Sequence, residues 1–130
     1  MDREPVVADT DALIDFLEEA GCHAQMASLL RQGRLATTAV SVFELWRGCE
    51  SASQQAELRR ALRGIRVYPF NEPAARQAGD VARALAARGE TIGERDTMIA
   101  GTCIAIGLPL VTANARPFGR VPGLRLLRAR

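Results

Sequence analysis

Apolar residues follow two rhythms along this chain. Short runs rich in β-branched or aromatic side chains (VVA at 6–8, RLATT at 34–38, IRVYPF at 65–70, PLVT at 109–112 and LRLL at 124–127) alternate with longer stretches whose apolar residues recur every three or four positions. The short runs predict strands and the long ones helices. The first helix carries ALIDFLEEA, with Leu13, Phe16, Leu17 and Ala20 on one face and Gly21 as its stop. A second covers about 23–32 before Gly33, a third opens at Ser41 in SVFELWRGCE, and a fourth covers about 53–63 with Leu58 and Leu62 inward. Asn71 and Pro73 open a long fifth helix over 74–88, with Ala74, Ala78, Val81 and Leu85 inward and Gly89 closing it. A sixth over 94–106 buries Met98, Ile99 and Ile106 and ends in GLP, the glycine-then-proline order of a helix stop. A short helical turn follows the fourth strand.

Helices between successive short strands imply crossovers, and crossovers imply a parallel sheet covered on both faces. The expected class is therefore α/β. No repeat, low-complexity tract or linker interrupts the pattern, so one domain is expected over 1–130.

Composition narrows the chemistry. With 130 residues, 48% hydrophobic and 25% charged, the chain has globular proportions, and folding should bury roughly two-thirds of its unfolded surface. The start, MDREP, is charged rather than signal-like, and TMIAGTCIAIGLPLV is too short and too broken by Gly and Pro to span a bilayer, so a cytoplasmic location is expected. Cys22, Cys49 and Cys103 lack the paired spacing of a disulfide framework or zinc knuckle. All 17 basic residues are Arg, which excludes mechanisms that need a catalytic lysine. Residues 1–65 carry seven Arg against ten acids, 66–130 ten Arg against five acids, and from Arg116 onward there are five Arg and no acid. That basic end suits phosphate contact or is simply a solvated surface.

In an open parallel sheet, ligands bind at the carboxyl ends of the strands near the point where strand order reverses. Asp9 and Asp11 follow the first strand. Asn114 follows the fourth, two residues after Thr112. Glu44 falls in the first turn of the helix after the second strand, and Asp96 near the start of the sixth helix. If these ends converge, four acids and one amide share a cleft that attracts Mg²⁺ or Mn²⁺, hard ions that take oxygen ligands. Each acid also has an ordinary reading. Ser41 with Glu44, and Thr91 with Glu94, have capping-box spacing; Asp11 can cap the first helix; Asp96 can complement its helix dipole. Asp15, Glu18 and Glu19 read as solvated helix face. Arg47 is spaced to pair with Glu44, and Arg95 and Arg116 flank Asp96 and Asn114 as phosphate candidates together with Arg47. The lone histidine, His23, has no motif around it, and no phosphate-cradling Gly-rich loop occurs.

In order, VADTDALID, SVFELWRG, GERDTMIAGTCIAIGLPLVTANARPF and VPGLRLL resemble the PIN-domain ribonucleases, specifically the small VapC-like toxins of toxin-antitoxin pairs, over nearly the whole chain. The resemblance implies a five-stranded parallel sheet in the order 3-2-1-4-5. It matches Asp9, Glu44 and Asp96 to the family's three catalytic acids and Asn114 to the fourth position, with Asp9 and Asp96 as metal ligands, Thr112 as supporting hydroxyl and Asp11 as cap or outer-shell acceptor. It further implies Mg²⁺- or Mn²⁺-dependent RNA cleavage, a homodimer, and a cognate antitoxin whose C-terminal segment covers the cleft. Asp11 stands where many relatives have Asn, and Pro117 where many have an acid or His. Asn114 and Pro117 keep open a catalytically impaired binding module. VVADTDAL also resembles the D-x-D opening of haloacid-dehalogenase-type phosphatases, with Asp9 as nucleophile and Asp11 as acid/base, although that family and response-regulator receivers both use a lysine.

Overall fold

The computed structural model describes residues 3–130, so Met1 and Asp2 of the MDREP start lie outside the described residues. Strands β1 (Val6–Ala8), β2 (Leu35–Thr38), β3 (Arg66–Tyr68), β4 (Leu110–Thr112) and β5 (Leu126–Arg128) form one sheet in the order β3-β2-β1-β4-β5. Every neighbouring pair is parallel. Between and beside them run α1 (Thr10–Glu18), α2 (His23–Arg31), α3 (Ala39–Arg47), α4 (Ala52–Leu62), α5 (Glu72–Ala87), α6 (Glu94–Ile106) and α7 (Ala115–Phe118). The α/β class and strand order expected from the sequence hold.

The central strands are apolar on both faces because each face has a helical layer. Val6 and Ala8 of β1 pack with Leu35 and Val111 against Ala12, Leu13, Met26 and Leu29 of α1 and α2. Val7, one residue out of phase, packs with Ala36 and Leu110 against Val81, Leu85, Ile99 and Cys103 of α5 and α6. Side chains alternate faces along a strand, so two adjacent residues serve two cores. The α5 stripe Ala74, Ala78, Val81 and Leu85 is buried as its spacing predicts. Gly101 lets α6 lie close against α5: a Cβ there would sit 2.5 Å from the backbone nitrogen of Ala78.

Several local expectations are corrected. Thr38, not Ser41, caps α3, accepting from the Ser41 N–H at 3.1 Å, so the helix starts at Ala39 and Glu44 falls in its second turn. Neither capping box forms, since Gly93 is the N-cap of α6 without a side-chain bond. Ser51 caps α4 one residue earlier than expected, and α5 begins at Glu72 because Asn71 caps it and Pro73 fits the first turn. On α1, Leu17 is 38% exposed and Ala20 exposed, because that helix buries Ala12 and Leu13 instead. It ends with Glu19 at φ 52, ahead of Gly21. Asp15 is not free solvated face but accepts from the Cys22 N–H at 3.2 Å, bracing the turn into α2. Met98 and Ile106 are half-buried, while Thr97, Ile99, Ala100, Thr102 and Cys103 take the inner side of α6. β5 lies two residues later than LRLL, where it pairs Leu126 with Leu110 and Arg128 with Thr112.

Candidate active site

Because β2 lies on one side of β1 and β4 on the other, the strand order reverses at β1. Asp9 leaves the carboxyl end of that strand with 3% of its surface exposed. Its backbone N–H donates to the Val111 carbonyl at 3.3 Å, fastening it to β4. Its Oδ1 accepts from the Ala12 N–H at 2.9 Å, so Asp9 rather than Asp11 is the cap of α1. Its Oδ2 accepts from the Thr112 hydroxyl at 2.5 Å, and the same hydroxyl oxygen accepts from the Asn114 N–H at 2.8 Å. Thr112 thus links the first acid to the turn that carries Asn114. Asp11 is exposed in the first turn of α1.

Glu44 is held from two directions. The Thr10 hydroxyl donates to its Oε1 at 2.6 Å, and Arg95 Nε donates to its Oε2 at 2.9 Å. Thr10 Oγ1 also lies 3.0 Å from the hydroxyl of the buried Ser41, which stands next to Thr38. The ion pair expected between Arg47 and Glu44 is therefore replaced by Arg95–Glu44. The Arg47 guanidinium instead lies over the Phe43 ring, 5.2 Å from its centroid. One turn of one helix brings Arg47 near Glu44, but the α3–α6 packing brings Arg95 closer to its carboxylate.

Asp9, Asp11, Glu44, Asp96, Asn114 and Arg47 line one cleft of about 380 Å³, together with Thr10 and Ile14. The convergence expected from the sequence occurs. Arg116 is exposed in α7 and does not line it. Burial pushes the Asp9 carboxyl up to about 6, and Asp11 and Asp96 push in the same direction against the lowering effect of the Thr112 and Ala12 donors. Asp96 is raised as well, first by burial and then by Glu44 and Asp11, with Arg95 opposing. The cleft is thus short of positive charge.

The donor set is all oxygen, as Mg²⁺ or Mn²⁺ requires, and the mutual repulsion of Asp9, Asp11 and Asp96 is what a divalent ion relieves. Among the described residues no three acidic, His or Cys side chains form a ready-made cage. Magnesium does not need one, since it keeps several waters and takes one or two carboxylates. Asp9 with Asp96 fits that pattern.

Sequence reasoning missed the site role of Thr10, whose hydroxyl links α1 to Ser41 and Glu44 of α3, and of Thr38, whose hydroxyl holds the start of that helix at Ser41. The only available signal was a cluster of small hydroxyl residues near the acids. His23 serves the fold rather than the cleft, since its ring stacks on Phe16 at 5.6 Å and its Nδ1 lies 3.0 Å from the Phe16 carbonyl. Cys22, Cys49 and Cys103 are free thiols.

An acid-lined cleft at the switch point of a five-stranded parallel sheet defines a class, and similarity to known proteins agrees with it. A family model described as PIN domain matches residues 6–124, and the chain belongs to that family. Among its relatives, the tRNA(fMet)-specific endonuclease VapC of Shigella flexneri is 31% identical over 121 residues, covering 90% of this chain and 92% of that protein. Ribonuclease VapC10 of Mycobacterium tuberculosis is 34% identical over 114 residues, covering 87% and 85%. The structure of DNA-bound VapBC from Salmonella typhimurium matches with a TM-score of 0.84 and 25% identity over 98% of this chain and 99% of that one.

Proposed function

We propose that this chain is a Mg²⁺- or Mn²⁺-dependent endoribonuclease, the toxin of a toxin-antitoxin pair. The observation that carries this reading is the meeting of Asp9, Glu44, Asp96 and Asn114 in one cleft at the strand-order switch. Relatives that share most of the length are named a tRNA(fMet)-specific endonuclease and a ribonuclease, and a structure of like fold is that of DNA-bound VapBC. The same reading takes an antitoxin protein as partner and RNA as substrate, and with them a homodimer in the cytoplasm. Among the described residues no helix is long and apolar enough to cross a membrane.

Asp9 and Asp96 would hold the ion, which when bound activates water and stabilises charge on a scissile phosphate. Asp9 suits ion binding because the Ala12 N–H and the Thr112 hydroxyl fix both of its oxygens before any ligand arrives. Glu44 is an acceptor at the cleft wall, able to orient the attacking water or take its proton. Asn114, anchored through its backbone to Thr112, offers an amide that neither adds to the acid repulsion nor titrates. Asp11 at the rim is an outer acceptor for ordered water. Arg47 borders the cleft and Arg116 lies beyond it, where phosphates on either side of the scissile bond would pass.

The test incubates purified, antitoxin-free protein with total cellular RNA and Mg²⁺, beside EDTA and Asp96→Asn controls. Discrete fragments that vanish in both controls are expected. Intact RNA from folded, ion-binding protein overturns the nuclease reading in favour of an impaired binding module, which the amide at Asn114 favours. A phosphatase with Asp9 as nucleophile fits less well, since the chain has no lysine for that chemistry and such a reading gives Glu44 no role.

A further inference from the structure

A second recess, of about 340 Å³, adjoins the acid cleft and is lined by Val40 and Phe43 of α3, Phe70 after β3, and Glu94, Arg95 and Met98 of α6. It shares two helices with the cleft. Val40 and Phe43 line the recess while Glu44 and Arg47 line the cleft, and the four recur at helical spacing along one stripe of α3. On α6, Arg95 lines the recess and its neighbour Asp96 the cleft. The Arg95–Glu44 ion pair at 2.9 Å ties one to the other. Phe70 and Met98 pack against the core, which fixes that part of the lining. Phe43 is 54% exposed, the most of any large apolar side chain among the described residues. A solitary exposed apolar side chain needs no explanation, but this one continues into Phe70 and Met98 and is the chain neighbour of a cleft acid. The Arg47 guanidinium lies over its ring, 5.2 Å from the centroid, so an aromatic surface and a cation bordering the cleft come as one unit.

We propose that the recess takes one unpaired nucleobase of an RNA strand, the base next to the phosphate in the cleft, stacked on Phe43. The proposal rests on the nuclease reading of the cleft and adds to it how the strand is seated. Unpaired bases stack on aromatic rings and on Arg planes, and any base offers a face for this. Charge sorts the parts of the strand. Arg47 draws phosphates to the cleft side, whereas Glu94 in the recess repels a phosphate and accepts from the N–H groups on the edge of a base. A base inside a duplex is already stacked and paired and cannot enter, so the recess selects single-stranded segments.

The experiment uses the full-length chain carrying Asp96→Asn, so that the probe is not cut, with Phe43→Ala, Phe43→Leu or Phe43→Trp added. Fluorescence anisotropy in Mg²⁺ follows the binding of a short labelled oligoadenylate and of an abasic ribose-phosphate oligomer of equal length, and thermal unfolding checks the fold. Phe43→Ala and Phe43→Leu are expected to weaken oligoadenylate binding by about 10- to 100-fold and to leave the abasic oligomer unaffected. Phe43→Trp restores binding, and once Trp46→Phe has removed the natural tryptophan its emission is quenched by oligoadenylate alone. Equal weakening with both oligomers overturns the proposal, because the loss then comes through Arg47 and the phosphates. Unchanged oligoadenylate binding in Phe43→Ala, full retention in Phe43→Leu, or a parent protein that binds oligoadenylate no better than the abasic oligomer overturns it as well. A change of oligomeric state in Phe43→Ala, read by sedimentation with RNA binding unmoved, overturns it in favour of a second copy of this chain on that face. Wild-type protein that leaves total cellular RNA intact overturns the nuclease reading, and the oligomer titrations still decide this proposal.

Discussion

Asp9→Asn is expected to make the ion-free protein more stable while abolishing its activity. Burial, joined by Asp11 and Asp96 and opposed by the Thr112 and Ala12 donors, lifts the Asp9 carboxyl from its ordinary 3.8 to about 6 in the folded chain. At about 1.36 kcal/mol per pKa unit, ionising that group costs the fold about 3 kcal/mol. Because the pKa is raised on folding, this cost is absent below about pH 4, grows as pH rises through about 6, and is complete above it. An amide removes the charge. It keeps an oxygen for the Ala12 N–H, since Asn caps helices about as well as Asp. It loses the acceptor for Thr112, whose hydroxyl oxygen already receives the Asn114 N–H, and that loss costs about 1 kcal/mol. The net gain is about 2 kcal/mol near pH 8, worth about 5–10 °C in Tm for a chain of this size. The assay is thermal unfolding in EDTA from about pH 4 to 8, both proteins side by side. A Tm no higher than wild type near pH 8, or a gain that survives at pH 4, refutes the argument. Added Mg²⁺ should reverse the order, because it stabilises only the protein that binds it.

Asp96→Asn should lose RNA cleavage by at least about 100-fold while keeping its fold, with fragment yield and circular dichroism as the two readouts. Thr112→Val removes the donor to Asp9 and the acceptor for the Asn114 N–H together; a loss of about 1–3 kcal/mol is expected, read from urea midpoints. It should also move the acid limb of the pH-rate profile upward, because the bond it removes is one that lowers the Asp9 pKa. Gly101→Ala forces a methyl against the Ala78 backbone and should cost roughly 1–3 kcal/mol, whereas Gly79→Ala, with nothing within 4 Å of its Cβ, is neutral or stabilising. Equal midpoints for the two glycine variants would contradict the close α5–α6 approach.

Most of the architecture was legible because it depends on period. The α5 stripe and the two out-of-phase strand cores follow from spacing alone. Helix starts were less legible, since several residues near each start have the chemistry of a cap. Thr38 and Ser41 both qualify at α3, and only the backbone geometry selects Thr38. At α1 the same ambiguity hid that Asp9 is both helix cap and cleft acid.

By itself the sequence determined the α/β alternation, the absence of lysine and the oxygen-only donor set of the cleft, properties fixed by residue type and by spacing within one element. Tertiary structure decided the partners. Whether Glu44 meets Arg47 or Arg95, which hydroxyl reaches it, and that Thr112 closes on Asp9 from 103 residues away depend on how α1, α3, α6 and β4 pack. A helix places its own residues at intervals of 3.6, but contacts between elements are set by the burial of their apolar faces. The polar groups at the cleft meet where that packing leaves them.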